Sequence, residues 1–456
     1  MPKAAVLRKD DPEWCVQKGM DSMTESVWRA QTALPSFPRL KRDCAADVLV
    51  IGGGIAGLLC AYMLKQSGAN VLLAEGGRIC GGVTGDTTAK ITAQHGLVYA
   101  KLLRRFGPER AGLYLRANLD ALEKYRELCP GMDCDFETRD SYVYTLDRPE
   151  KIAAELEALR RLGYPAEASD AGELPFPTAG AVKFPAQAQF NPLAFLSSIA
   201  ERLSVFEDTF ITEIRDGAAR TADGHIIRAE QYVVATHFPF LNKHGSYFLK
   251  LYQQRSYVLA LENAPPISGM YLDERNGGLS FREYKDLLLL GGGGHRTGKQ
   301  GGGWEYLRGA AARYYPAALE KYRFATQDCM SLDGMPYVGR YSAGTTDLYV
   351  ATGFNKWGMT TAMAAAGILD ELLQGRRDPY GGVFSPSRSI LRPQLLCNGA
   401  EAVVNLLTPT APRCPHLGCA LKWNRMEHTW DCPCHGSRFE EDGGLLDNPA
   451  TGDLKR

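Results

Sequence analysis

The stretch Asp47-Val-Leu-Val-Ile-Gly-Gly-Gly-Ile-Ala-Gly-Leu-Leu-Cys-Ala-Tyr-Met-Leu64 decides how this chain folds. Val48 to Ile51 is an unbroken apolar run, the pattern of a strand buried on both faces of a parallel sheet. It leads straight into Gly52, Gly54 and Gly57, spaced G-x-G-x-x-G. Ile55, Leu58, Leu59, Ala61, Tyr62 and Leu64 then recur at helical spacing up to a stop at Gly68. A second buried strand, Val71–Ala74, ends on an acid, Glu75. Gly52 allows the tight turn, Gly54 admits a pyrophosphate to the backbone, and Gly57 lets helix and strand pack closely. The helix N-terminus favours the phosphates, and Glu75 stands where a carboxylate accepts from ribose hydroxyls. A lone glycine turn means little; strand, glycines, helix, strand and acid in register specify a dinucleotide site.

The chain has 456 residues, room for two or three domains. Lys plus Arg and Asp plus Glu both number 52, and no basic run interleaves with aromatics, so nucleic-acid binding lacks electrostatic support. No apolar run approaches the ~20 residues that span a bilayer. Residues 1–19 lack an apolar signal core and read as a loose extension, with Met20 or Met23 as alternative starts. Of the 12 cysteines, four crowd the last tenth of the chain. The scatter of the rest fits a reduced, cytoplasmic setting.

After Glu75 comes a Gly- and Thr-rich loop suited to lie against a cofactor. Helices are expected over about 98–106, 109–128, 149–162 and 192–203, and strands over about 136–146, 210–214, 226–227, 232–235, 256–261, 278–281 and 287–290. The later strands lack intervening helices, which predicts a mostly antiparallel second domain inserted into the first. A buried strand at about 348–351 and an Ala-rich helix to about 373 complete it. Gly293 to Lys299 fits G-x-x-x-x-G-K, but Gln300 replaces the magnesium-binding hydroxyl and Gly301 to Gly303 oppose the required helix. It reads as a turn between strands.

The tail carries Cys414-Pro-His416-Leu-Gly-Cys419 and Cys432-Pro-Cys434-His435-Gly-Ser437. Two thiolates and two imidazoles on separate loops suit zinc, but a finger usually pairs Cys with Cys and His with His. Mixed pairs suit a 2Fe-2S centre in which histidines replace two cysteines on one iron, the Rieske arrangement. The loops resemble the Rieske proteins of cytochrome bc complexes. By that resemblance Cys414 and Cys432 bind one iron, His416 and His435 the exposed one, and Cys419 and Cys434 form a disulfide. Ser437 matches a serine that bonds a bridging sulfide; Phe439 stands where high-potential members have a tyrosine. Only one candidate strand, about 402–407, precedes the first ligand loop, so the N-terminal strands of this small domain look missing.

From about Met20 onward the chain resembles bacterial FAD-dependent oxidoreductases of the D-amino-acid oxidase and glycine oxidase type that carry a C-terminal Rieske domain. The carrying segments are the glycine turn, Thr84 to His95, Val233 to Thr236, Asp333 to Gly339 and Ala351 to Gly358. The resemblance implies an α/β, Rossmann-like FAD-binding domain, an inserted mainly antiparallel α+β substrate domain, and a small, shortened all-β Rieske domain. The expected divisions are an extension over 1–43, the oxidoreductase over 44–375, a linker over 376–400 and the Rieske domain over 401–456. FAD-binding parts fall at about 44–130, 190–240 and 325–375, and substrate-domain parts at about 131–189 and 241–324. It also implies that Gly52, Gly54, Ile55, Ala56 and Gly57 hold the pyrophosphate and Glu75 the adenosine ribose. Thr84 and Thr88 would approach the ribityl chain or flavin, the Ile211 backbone the adenine, and Gly353, Gly358 and Met359 would turn a helix N-terminus to the flavin.

The expected reaction is hydride transfer to FAD from a small amine or amino-acid-like substrate, with electrons leaving through the 2Fe-2S cluster to an external protein or quinone. No catalytic side chain is assigned; Tyr257, His237 and His295 are polar candidates that a structural role would equally explain. Three rivals stand: an oxygen-using oxidase with a zinc-bound or vestigial tail, a pyridine-nucleotide reductase, and a redox sensor.

Overall fold

A computed structural model describes residues 24–242, 244–409 and 412–455, so the alternative starts at Met20 and Met23 lie outside the described residues. Among the described residues the strands form three sheets. In the first, Cys44–Ile51 pairs in parallel with Val71–Ala74 on one side and Ile226–Val234 on the other. Ser204–Phe206 and Leu348–Thr352 extend it in parallel, and Tyr337–Arg340 closes one edge antiparallel. The helices Ile55–Gln66 and Gly358–Leu373 pack together on one face, burying Leu58, Leu59, Ala362 and Ala366.

The second sheet has the order Leu319–Ser331, Leu251–Glu262, Leu287–Arg296, Ser280–Tyr284, Met270–Asp273, Glu137–Thr145, Gly180–Gln189, Lys90–Ile91. Its pairs are antiparallel except Met270–Asp273 with Glu137–Thr145. The third is a four-stranded antiparallel sheet of Lys422–Asn424, Thr429–Asp431, Arg438–Phe439 and Leu445–Asp447. Two layered α/β and α+β parts and a small all-β part result. Among the described residues no helix is long and apolar enough to cross a membrane.

The break expected between the helices over 98–106 and 109–128 is present, within the span Tyr99–Leu128, where Gly107 takes φ +79° before Pro108. Several expectations need correction. Leu319–Ser331 pairs with Leu251–Glu262, so residues 325–331, expected in the FAD-binding part, run in the second sheet while 325–330 line the cavity described below. A helix, Gly303–Tyr314, follows the glycine run despite Gly301 to Gly303. The strand expected at 402–407 and the last part of the expected linker, 393–400, form the helix Pro393–Leu407. Pro393 starts it, and its inward face is polar: Asn398 and Asn405 are buried and Glu401 pairs with Lys299. The apolar run Ala402 to Leu407 hid that polar period, because Leu396, Val403, Val404 and Leu407 point outward.

Candidate active site and cluster loops

One cavity of about 1220 Å³ runs along the carboxyl ends of the first sheet and under the second. Every residue expected to touch the cofactor lines it except Gly57. Gly57 lies behind the turn, where a Cβ would come 1.8 Å from the Gly52 carbonyl oxygen. Glu75 accepts from the N–H of Gly53 at 2.6 Å and of Gly77 at 2.8 Å, and each oxygen keeps a lone pair toward the cavity. Burial raises the Glu75 carboxyl, against these backbone bonds, which lower it. Thr84 lines the cavity, and its hydroxyl accepts from the Ile55 N–H at 3.0 Å and fixes the loop on the helix N-terminus. Thr88 is held through its carbonyl by Arg282, a wholly buried guanidinium that also donates to Ala89 O at 2.9 Å and lies 5.3 Å from the Trp28 ring.

Sequence reading missed the most polar part of the cavity. Asn355 and Lys356 both sit at positive φ, +53° and +74°, between the strand Leu348–Thr352 and the helix Gly358–Leu373. Strained non-glycine backbone of this kind persists where the surroundings over-determine it. Lys356 is half-buried, lines the cavity and donates to Ser256 Oγ at 3.1 Å. Burial lowers its pKa, opposed by Asp328. The glycine run that mimicked a phosphate loop makes room for it, since a Cβ on Gly294 would reach to 2.9 Å from Lys356 Nζ.

The candidates Tyr257, His237 and His295 all have partners. Tyr257 donates to Glu427 Oε1 at 3.0 Å, His237 Nε2 meets Gln253 Oε1 at 3.0 Å, and His295 stacks on Tyr257 with its Nδ1 at 3.1 Å from Gly293 O. Tyr257 and His237 line the cavity.

The four tail thiols are buried together, and the Sγ atoms of Cys419, Cys432 and Cys434 lie within 4.8 Å of one another. The Cys414 thiol lies against Cys432 and Ser437. Cys419 and Cys434 are neighbours but both are free thiols here, so the expected disulfide is not formed in this structure. The His416 and His435 rings sit 4.9 Å apart at 87°. Each has a buried Nδ1 with no hydrogen-bond partner among the described residues, an orphaned acceptor. Desolvation keeps both imidazoles neutral, with pKa values lowered to about 3 and about 4, as ligation requires. The other side of each ring is held from outside the tail: His416 Nε2 is 3.3 Å from Asn242 Oδ1, and His435 bonds the Phe248 backbone. Two partnerless imidazole nitrogens and the buried tail thiols supply the mixed Cys and His donor set of a Rieske cluster, a set that zinc also accepts.

The tail is seated on the second sheet. Arg296 donates to Pro433 O and Cys434 O, both at 2.8 Å, and Gly298 packs on Pro433. Glu427 takes Arg255, Tyr257 and Arg438 together, Arg438 at 2.8 Å. Burial alone would raise the Glu427 carboxyl, but the two guanidiniums outweigh it and hold it at about 2. A depressed carboxyl stabilises above its unfolded pKa, 4.5, and loses that contribution as pH falls toward 2. The seat should therefore hold unchanged from neutral pH to about 5 and weaken below it. Glu427→Gln should cost about 3 kcal/mol of docking at pH 7 and flatten this acid dependence, read by calorimetry of the full chain.

The comparisons agree with this geometry. The family described as FAD dependent oxidoreductase matches residues 47–372, and the Rieske [2Fe-2S] domain matches residues 405–456. The Bacillus subtilis protein YhfW, whose name describes it as a Rieske 2Fe-2S iron-sulfur protein, is 33% identical over 498 aligned residues, covering 95% of this chain and 97% of YhfW. Among solved structures, glycine oxidase from Geobacillus kaustophilus superposes with a TM-score of 0.63 at 19% identity, over 76% of this chain and 99% of its own. L-proline dehydrogenase from P. horikoshii gives 0.62 at 19% identity, over 76% and 98%. The chain belongs to the FAD-dependent oxidoreductases of the D-amino-acid oxidase type, binding FAD and, through a C-terminal Rieske domain, a 2Fe-2S cluster.

Proposed function

We propose that this protein oxidises a small amine or amino-acid-like compound and passes the electrons through its Rieske centre to an external one-electron acceptor, a protein or a quinone. When bound, FAD supplies hydride acceptance and the 2Fe-2S cluster supplies one-electron steps. The observation that carries the reading is the contact between the two sites. Gln253 meets His237 in the cavity wall and donates to His435 O at 3.0 Å, and the Phe238 ring lies edge-on to His416 and His435 at 6.2 and 6.3 Å.

Cys414 and Cys432 would hold one iron and His416 and His435 the other, with Cys419 and Cys434 free to close a disulfide beside them. The turn Gly52 to Gly57 would hold the pyrophosphate, Glu75 the ribose, Ile211 the adenine, Thr84 and Thr88 the ribityl side, and Gly353, Gly358 and Met359 the flavin. On the substrate side, Lys356 lies half-buried in the cavity wall beside Asp328 and offers an amino group to a substrate carboxylate. Two solved neighbours of the same fold are named for glycine and proline, which supports this class. On the acceptor side, the exposed Leu417 next to His416 and the exposed Leu407 put apolar side chains beside the cluster loop, with the exposed Arg413 among them.

The test is anaerobic mixing with a panel of amines and amino acids. The expected result is bleaching of the flavin together with growth of a Rieske-type EPR signal, and faster turnover with ferricyanide than with oxygen. Bleaching with a silent EPR spectrum and stoichiometric peroxide would instead establish the oxygen-using oxidase, and rapid bleaching by NADH the pyridine-nucleotide reductase.

The cluster's midpoint should lie below that of respiratory Rieske proteins, because Phe439 is fully buried and has no hydroxyl to give the cluster. Phe439→Tyr should raise it by roughly 40 mV, one hydrogen bond of about 1 kcal/mol for a one-electron couple. A redox titration of both proteins checks this.

A further inference from the structure

The cofactor cavity is not walled by the oxidoreductase domain alone. Arg438, Leu445, Leu446, Asp447, Asn448 and Ala450 of the C-terminal domain line it together with the glycine turn. Leu446 keeps 44% of its surface exposed while lining the cavity, so its side chain borders the open space.

Besides the Arg438 and Glu427 contacts, this wall is latched at Asn448. Asn448 Nδ2 donates to the carbonyls of Thr236 and Phe238, the latter at 3.1 Å, on the segment that leaves the strand Ile226–Val234. Gln253 Nε2 in turn donates to Asn448 O at 2.8 Å as well as to His435 O. Gln253 is 1% exposed, and Gly436 packs so closely that a Cβ there would lie 2.5 Å from Gln253 Cβ. On the other side Ala450 N donates to Ser437 Oγ at 2.9 Å, tying the wall to the loop of His435. The segment is therefore fixed to the cavity rim and to the cluster loop by the same few bonds.

We propose that the C-terminal domain has a second role, as a structural wall of the FAD site. Leu446 is a specificity-determining residue that borders the small-molecule substrate, and Asn448 and Gln253 are positioning residues that keep the wall closed and water out. The inference rests on FAD occupying this cavity and not on the route of the electrons. An apolar side chain at the rim favours substrates with a hydrocarbon portion on that side.

The experiment uses the full-length protein with both groups bound. Asn448→Ala removes two hydrogen bonds from the latch, so iodide quenching of flavin fluorescence should rise about tenfold and FAD release should quicken. The EPR signal of the reduced cluster reports whether the small domain is still folded. Leu446→Trp fills the rim instead: quenching should fall and KM for the substrate should change several-fold while the EPR signal stays. Unchanged quenching in Asn448→Ala with the EPR signal intact overturns the proposal. Should Asn448→Ala lose the signal, Leu446→Trp decides, and unchanged quenching and KM there overturn it. Purified protein that holds the cluster but no flavin would sink the cavity assignment and this wall with it.

Discussion

Serine in place of Cys432 is expected to abolish the Rieske EPR signal, unfold the C-terminal domain and, with that wall of the cavity gone, loosen FAD. Cys432 is fully buried at the centre of the four thiols, and a hard hydroxyl is a poor substitute for a soft thiolate ligand to iron. The effect is larger than one lost ligand bond. The small domain's apolar core consists of Cys414, Cys419, Leu421, Cys432, Cys434, Phe439 and Ala450, so four of its seven members are the thiols themselves. A domain with so little other core draws its stability from what its loops bind, on the order of 10 kcal/mol in comparable metal sites. Cys419→Ser should behave differently: the signal survives and only the melting temperature falls. Iron analysis with EPR of the two variants checks both; equal loss of signal would place Cys419 among the ligands. Zinc in place of iron would restore the vestigial-tail reading.

Gly57→Ala should cost nearly all FAD affinity. The added Cβ would sit 1.8 Å from the Gly52 carbonyl oxygen and 3.4 Å from Val50 Cγ1. Gly52 cannot retreat, because its φ of +109° is forced by the turn and its own far side is closed by Ala235 O. The helix Ile55–Gln66 must then tilt away from the sheet, at a cost of about 3 kcal/mol, which is more than a hundredfold in binding. Gly367→Ala is the contrast. Gly367 lies within the helix Gly358–Leu373 with nothing within 4 Å of an added Cβ, and should gain roughly 0.5–1 kcal/mol. FAD content after gel filtration and thermal melts separate the two.

Local patterns were the legible part. The unit from Asp47 to Glu75 declares itself because strand, turn, helix and acid all lie within one continuous stretch, and the Cys and His pairs because ligand spacing is set loop by loop. What escaped depends on distant partners. Nothing near Gln253 or Asn448 in sequence shows that one donates to the other across 195 positions. Lys356 was passed over because a lysine beside an apolar strand resembles a solvated end, and only Gly294 on another strand shows the room made for it. The helix Pro393–Leu407 failed for the opposite reason: its polar face turns inward onto Lys299 and Arg296, so its visible apolar run pointed to the wrong element.

The latch at Asn448 also orders events in time. Ribosomes deliver the glycine turn hundreds of residues before Leu445 to Ala450 emerge, so the nascent cavity gapes while the flavin's half of the fold is already made. A prosthetic group can walk in through that unfinished side, and the iron–sulfur machinery, by completing the tail, shuts the door behind it. Cells short of iron would then accumulate a protein that leaks its yellow colour.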